Sequence, residues 1–178
     1  MKTYKYCVHA VIAWTFLVAQ CIAQGTGHQD MWARWRFLIG DWVGIGSGDP
    51  GRGEGAFSFL PDLNNKILVR KSYSEYPPKP GEKVGIRHED LMIVYPSEEG
   101  STFRADYFDN EGHIIHYEVT FPAKQAAVVF ESEQKAAQPR YRLDYEMGAN
   151  DEVQITFSIA PPGQPYKTYL QGKSKRKG

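Results

Sequence analysis

Two stretches near the end of the chain alternate apolar and polar residues without a break. Tyr141, Leu143, Tyr145 and Met147 interleave with Arg140, Arg142, Asp144 and Glu146, and Val153, Ile155, Phe157 and Ile159 interleave with Glu152, Gln154, Thr156 and Ser158. Successive side chains of a strand point to opposite faces, so each stretch is a strand with one dry face and one wet face. With these two, β-prone runs lie at 41–48, 53–60, 66–76, 86–95, 101–108, 113–121, 125–132, 138–147, 152–160 and 166–174, ten in all. The clusters Pro61-Asp62-Leu63-Asn64-Asn65, Asp109-Asn110-Glu111-Gly112 and Gly148-Ala149-Asn150-Asp151 separate some of them. Such residues tolerate left-handed backbone or bond their own main chain, which makes hairpin turns. No helical pattern between strands is long enough for a parallel crossover. An open sheet of this kind leaves two exposed edges, and closure removes both, so the pattern predicts an all-β fold: a closed antiparallel barrel of about ten strands. A short helix over 30–38 opens it, with Asp30 as N-cap and Met31, Trp35 and Leu38 on one apolar face, stopped by Gly40. Trp42 is expected to pack near that helix.

The first 23 residues read differently from the rest. Lys2 and Lys5 form a basic start, Cys7 to Ala19 is an apolar run, and small residues come after it, the pattern of a secretory signal peptide. The run is shorter than the roughly 20 apolar residues that a membrane-spanning helix needs. The division predicted is a leader at 1–23 and one barrel domain at 24–178, secreted or periplasmic, with no transmembrane segment. Cleavage after Ala23 leaves 19 of the 21 basic residues against 21 acidic ones, a net charge of −2. It also removes Cys7 and Cys21, both cysteines of the chain, so neither disulfides nor thiol chemistry is expected. The alternative is a lipoprotein anchored through Cys21, preceded by Val18-Ala19-Gln20.

Composition narrows the function classes. With 42% hydrophobic, 13% aromatic and 24% charged residues and a formal net charge of zero, the chain has neither the profile of a disordered protein nor the basic excess of a nucleic-acid binder. Gly46-Ser47-Gly48-Asp49-Pro50-Gly51 matches the dinucleotide fingerprint, but the next run, Glu54 to Leu60, reads as strand rather than helix, so a glycine-rich hairpin is expected. The basic tail Lys173 to Lys177 reads as a solvated end. No local signature of a metalloprotease, thiol redox enzyme, serine hydrolase or P-loop NTPase occurs, and no catalytic or metal-ligating set is assigned.

Strand parity singles out a candidate binding site. His113 and His116 stand three apart and fall on opposite faces of a strand, which argues against a metal pair. His88 and Asp90 share a face, predicted inward because Arg87 and Glu89 claim the wet side, and His113 shares the face of Ile115 and Tyr117. Buried polar groups need partners, so His88, Asp90, His113 and Tyr107 form either a satisfied internal network or one that a ligand completes. Phe57, Tyr73, Met92, Phe103, Tyr117, Tyr145 and Phe157 are read as inward apolar lining. Parity leaves Arg70 unplaced. The ligand-binding set is therefore His88, Asp90, His113, Tyr107, Tyr117, Tyr73, Met92 and Phe103, and the partner predicted is a small apolar or amphipathic molecule. Asp90 disfavours a naked anion and favours a hydroxyl- or amine-bearing lipid or aromatic metabolite.

The stretch Trp35-x-Phe37-Leu38-Ile39-Gly40-Asp41-Trp42-Val43-Gly44-Ile45-Gly46 and the closing Tyr169-Leu170-Gln171-Gly172 resemble calycin-like barrels, and more closely the nitrobindin-type barrels and related exported bacterial proteins. The resemblance implies a cavity for a small ligand, and in nitrobindins a haem held by a histidine of the last strand. Here no histidine follows His116, and the corresponding position is Tyr169, which parity turns outward. No cofactor is therefore expected, with haem through Tyr169 as the departure to test. The alternatives to a non-catalytic binding barrel are a haem protein, a calycin-type decarboxylase, cyclase or isomerase built on His88 with Asp90 or Tyr107 with Arg70, and a structural envelope protein.

Overall fold

The computed structural model describes residues 30–49, 53–78, 80, 81, 83–123 and 126–178. The leader expected at 1–23, with Cys21, and positions 50 and 51 of the expected glycine-rich hairpin lie outside them. Ten strands run in sequence order: β1 (Gly40–Asp49), β2 (Glu54–Asp62), β3 (Ile67–Tyr76), β4 (Ile86–Pro96), β5 (Phe103–Asp109), β6 (Ile114–Thr120), β7 (Ala127–Ser132), β8 (Arg140–Met147), β9 (Glu152–Ala160) and β10 (Lys167–Arg176). Each pairs antiparallel with its neighbours in sequence, and β1 pairs with β10 to close the barrel. A closed ten-strand antiparallel barrel is consistent with the calycin-like architecture expected from the opening and closing motifs. No helix among the described residues is long and apolar enough to cross a membrane.

The turns use residues suited to them. Leu63, Asn64 and Asn65 all adopt positive φ between β2 and β3, with the Asp62 carboxylate accepting the Leu63 amide at 2.6 Å. Asn150 and Asp151 do the same between β8 and β9, where short side chains that bond locally lower the cost of left-handed backbone.

Because strands alternate in direction, the β2–β3, β4–β5, β6–β7 and β8–β9 turns gather at one end, together with the residues before β1. That end is plugged. The expected helix over 30–38 is reduced to a 3-10 turn, Ala33–Trp35, with Trp32 rather than Asp30 in the N-cap position and no side-chain cap. Met31 is exposed, while Trp32, Trp35 and Leu38 are buried. The three buried residues recur every third position, which matches the three-residue period of a 3-10 turn rather than the 3.6 of an α-helix. Trp35 packs edge-on against Phe103 and Phe121, and the Trp32 indole N–H donates to the Asn65 carbonyl at 2.9 Å. The Trp42 indole N–H donates to the Leu38 carbonyl at 2.9 Å, which places Trp42 against the plug as expected.

The basic tail is not a solvated end. Through Arg176 it is strand β10, paired with β1 and β9, and Ser174 is buried within it. Arg176 donates to the carbonyls of Ile39 at 2.7 Å and Phe37 at 2.9 Å and lies over the Trp42 ring. Closure of the last strand onto the first needs every backbone group to about residue 176, which outweighs the repulsion among spaced, outward lysines.

Candidate functional site

Away from the plug, the inner wall contributed by β3, β4 and β5 is polar. Arg70 and Asp90 face the lumen from neighbouring strands and form a hydrogen-bonded ion pair, with side chains only 8% and 5% exposed. Next to it, His88 Nε2 lies 3.1 Å from the Tyr107 hydroxyl and 3.7 Å from Asp90, while His88 Nδ1 lies 3.0 Å from the Glu111 carboxylate. The Tyr107 hydroxyl also donates to Asp109 at 3.3 Å, and Asp109 accepts from the His113 ring at 2.8 Å. Asn110 of the β5–β6 turn fixes this rim by bonding the Glu89 amide and the Arg87 carbonyl of β4.

The network has two proton arrangements. When Tyr107 donates to Asp109 and His88 donates to both Tyr107 and Glu111, the imidazole carries both protons. When His88 is neutral with its proton toward Glu111, Nε2 accepts, and the Tyr107 proton turns from Asp109 to His88. Burial works to lower the Arg70 pKa, but the Asp90 carboxylate together with the Tyr145 and Tyr107 hydroxyls outweighs it, so the guanidinium stays charged. Burial raises the Asp90 pKa, and Arg70 and His88 pull it back. Burial likewise raises Tyr107, with the Asp90 and Asp109 charges adding to it, and pushes Tyr145 up to about 12. For Asp109 burial acts upward, and the bonds from the His113 amide and ring and the Glu111 amide outweigh it, holding the carboxyl below its ordinary range. The Tyr145 hydroxyl lies against Arg70, yet neither it nor Arg70 Nε has a partner in hydrogen-bond geometry.

The facing wall, from β8, β9 and β10, is apolar. An inward side chain on a strand flanked by two paired strands meets water only from the lumen, so its exposure reports on the interior. Val153 near the plug is sealed, whereas Ile155 and Phe157 further along β9 are half-buried; on β8 Leu143 and Tyr145 are sealed and Tyr141 is half-buried. On β4 Met92 and Val94 are sealed, and His88 is 28% exposed. The plug half is therefore a packed core and the other half opens to water. On β10, Gly172 pairs with Ile155 and shares the inward face of buried Ser174, and a Cβ placed on it meets no atom within 4 Å.

Of the residues that strand parity singles out, His88, Asp90 and Tyr107 stand together on the polar wall, and Tyr117 is buried beside Tyr107 at 6.4 Å between ring centroids. Met92 and Phe103 face inward but lie in the sealed half, Phe103 against Trp32 and Trp35. Two placements need correction. Tyr73 points outward rather than inward, in register with Ala56 and Glu89, and lies beneath the Arg87 guanidinium. Arg70 takes the inward position on β3, and parity then forces Tyr73 out. His113 is 57% exposed on the rim rather than inside, since it precedes β6 and its ring turns back to Asp109. Arg70, left unplaced by parity and considered only as a partner of Tyr107, joins the site. Tyr141 and Ile155 join it too; the strict alternation in β8 and β9 put them on dry faces without assigning them to the site.

A separate groove of about 650 Å³ crosses the outside of β1–β5. Two outward rows bound it, one through Val43, Ala56 and Tyr73 and the other through Ser58, Lys71, Leu91 and Phe108, as the strand register requires. Among the described residues, no group of three or more His, Cys, Asp or Glu is placed to hold a metal ion. Tyr169, expected to face outward, is 63% exposed at the bulge in β10, where its ring meets Phe157 edge-on with centroids 6.2 Å apart. No protein family's sequence profile matches the chain, and no curated protein is significantly similar to it.

Proposed function

We propose that this is an exported, non-catalytic barrel that binds a small apolar or amphipathic molecule in the open half of its lumen. The observation that supports this most is the division of the interior: side chains near the plug are sealed, those beyond are reached by water, and Gly172 leaves room where a side chain would stand. Removal of an apolar surface from water against Ile155, Phe157 and Tyr141 supplies the affinity. His88, Asp90 and Tyr107 orient the polar part. Arg70 changes the electrostatic expectation, because it neutralises Asp90 inside the barrel. Export rests on the leader at 1–23, and the intact mass of the mature protein distinguishes simple cleavage after Ala23 from a lipid on Cys21.

The test is to fill the lumen without disturbing the core. In Gly172→Leu the added side chain enters open space on a strand, where replacing glycine does not weaken the fold. The neutral fluorophore N-phenyl-1-naphthylamine should brighten with the natural protein and not with Gly172→Leu, at unchanged Tm. Equal brightening of both refutes lumen binding.

The outer groove favours a second reading, a barrel that binds a partner protein on its outer face. It predicts that Leu91→Asp with Phe108→Ser abolishes capture of a partner while leaving fluorophore binding intact.

A further inference from the structure

Resting on the binding role just proposed, we infer that the ligand is a flat ring system with a hydroxyl along one edge, rather than a chain with a polar head. Polarity in the open half of the lumen is divided across the barrel, not along it. Ser72, His88, Asp90 and Tyr107 stand on the β3–β5 side; Tyr141, Ile155 and Phe157 stand on the β8–β9 side. A chain amphiphile places its head in water at the mouth and its tail in a lumen apolar all round. In this barrel such a tail would lie against the polar wall and strip water from it without replacing its hydrogen bonds, which is costly. A flat ring avoids that cost by presenting a hydroxyl edge to one wall and its apolar body to the other.

The apolar wall has the shape for a ring. Tyr141 and Phe157 are stacked, with planes 5° apart and centroids separated by 6.2 Å, so the wall already holds parallel rings that a further flat ring can extend. Offset stacking on such rings adds to what area burial supplies. Gly172, across the ladder from Ile155, leaves the space beside it clear. On the polar side the carboxylates of Asp90 and Asp109 outnumber the Arg70 cation, so a neutral donor group suits the edge better than a carboxylate.

The experiment is calorimetric titration of the purified protein with 2-naphthol, naphthalene and 1-decanol. Decanol buries more apolar area than naphthol, so burial alone ranks it first. The expected order reverses this, with 2-naphthol tighter than 1-decanol and about fivefold tighter than naphthalene, the worth of one hydrogen bond. In Phe157→Leu the affinity for 2-naphthol should fall about fivefold through loss of stacking while that for decanol stays within about twofold. Tighter binding of decanol, equal binding of naphthalene and naphthol, or a parallel loss for naphthol and decanol in Phe157→Leu each overturns the inference and leaves lumen binding standing. Failure of all three probes, together with failure of N-phenyl-1-naphthylamine, overturns both.

Discussion

The Arg70 guanidinium donates to the Asp90 carboxylate from the adjacent strand, and both side chains are more than nine-tenths buried. Removing one member of such a pair leaves an uncompensated charge in a low-dielectric interior and costs about 3–5 kcal/mol, whereas replacing both by apolar groups is close to neutral. Asp90→Leu should therefore lower the stability measured by urea unfolding by that amount. The double change Arg70→Met with Asp90→Leu should recover most of it. Simple additivity of the two single losses would contradict the pairing.

Asp109 makes stability depend on pH. Its carboxyl is held below the ordinary value of about 3.9 by bonds from His113 and Glu111, so the folded state binds fewer protons than the unfolded state just below that value. Its contribution is complete above the unfolded pKa and is lost as pH falls through the folded one. Asp109→Asn should cost about 1 kcal/mol at pH 7, and the difference from the natural protein should shrink as pH falls below about 4. A difference that stays constant from pH 7 to pH 3 would show that these bonds do not favour the charged form.

Arg176 latches the last strand to the plug. It bonds the Ile39 and Phe37 carbonyls and covers the face of Trp42 at 4.5 Å. Arg176→Ala should cost about 2 kcal/mol, a fall of about 4–8 °C in Tm for a chain of this size, and Arg176→Lys should restore only part because it lacks the planar fork. Thermal unfolding measured by circular dichroism checks both. An unchanged Tm in Arg176→Ala would mean that β10 closes the barrel without the latch.

The polar wall is only half legible in the sequence. His88 and Asp90 could be assigned inward because Arg87 and Glu89 both wanted water. On β3 the same reasoning failed: Ile67 to Tyr76 places Leu68, Arg70 and Ser72 on one face and Val69, Lys71 and Tyr73 on the other. Each face carries one cation, so neither is the evident wet side. The tie is broken by Asp90 on the neighbouring strand, paired in register with Ser72, which needs a cation inside. That need belongs to a contact between strands and is absent from β3 itself.

Local chemistry by itself determined the ten strands and their turns, because a period-two pattern and residues able to take positive φ act over a few positions and need no distant partner. It also fixed the inward faces of β8 and β9, where the two sides differ sharply in polarity. Only the tertiary structure decided that β10 runs on to Arg176, that the opening helix shrinks to a turn around Trp35, and that the lumen is sealed at one end and open at the other. Those outcomes depend on which side chains meet across the closed barrel, and on whether their volumes fill it. Neither is a property of any one segment of the chain.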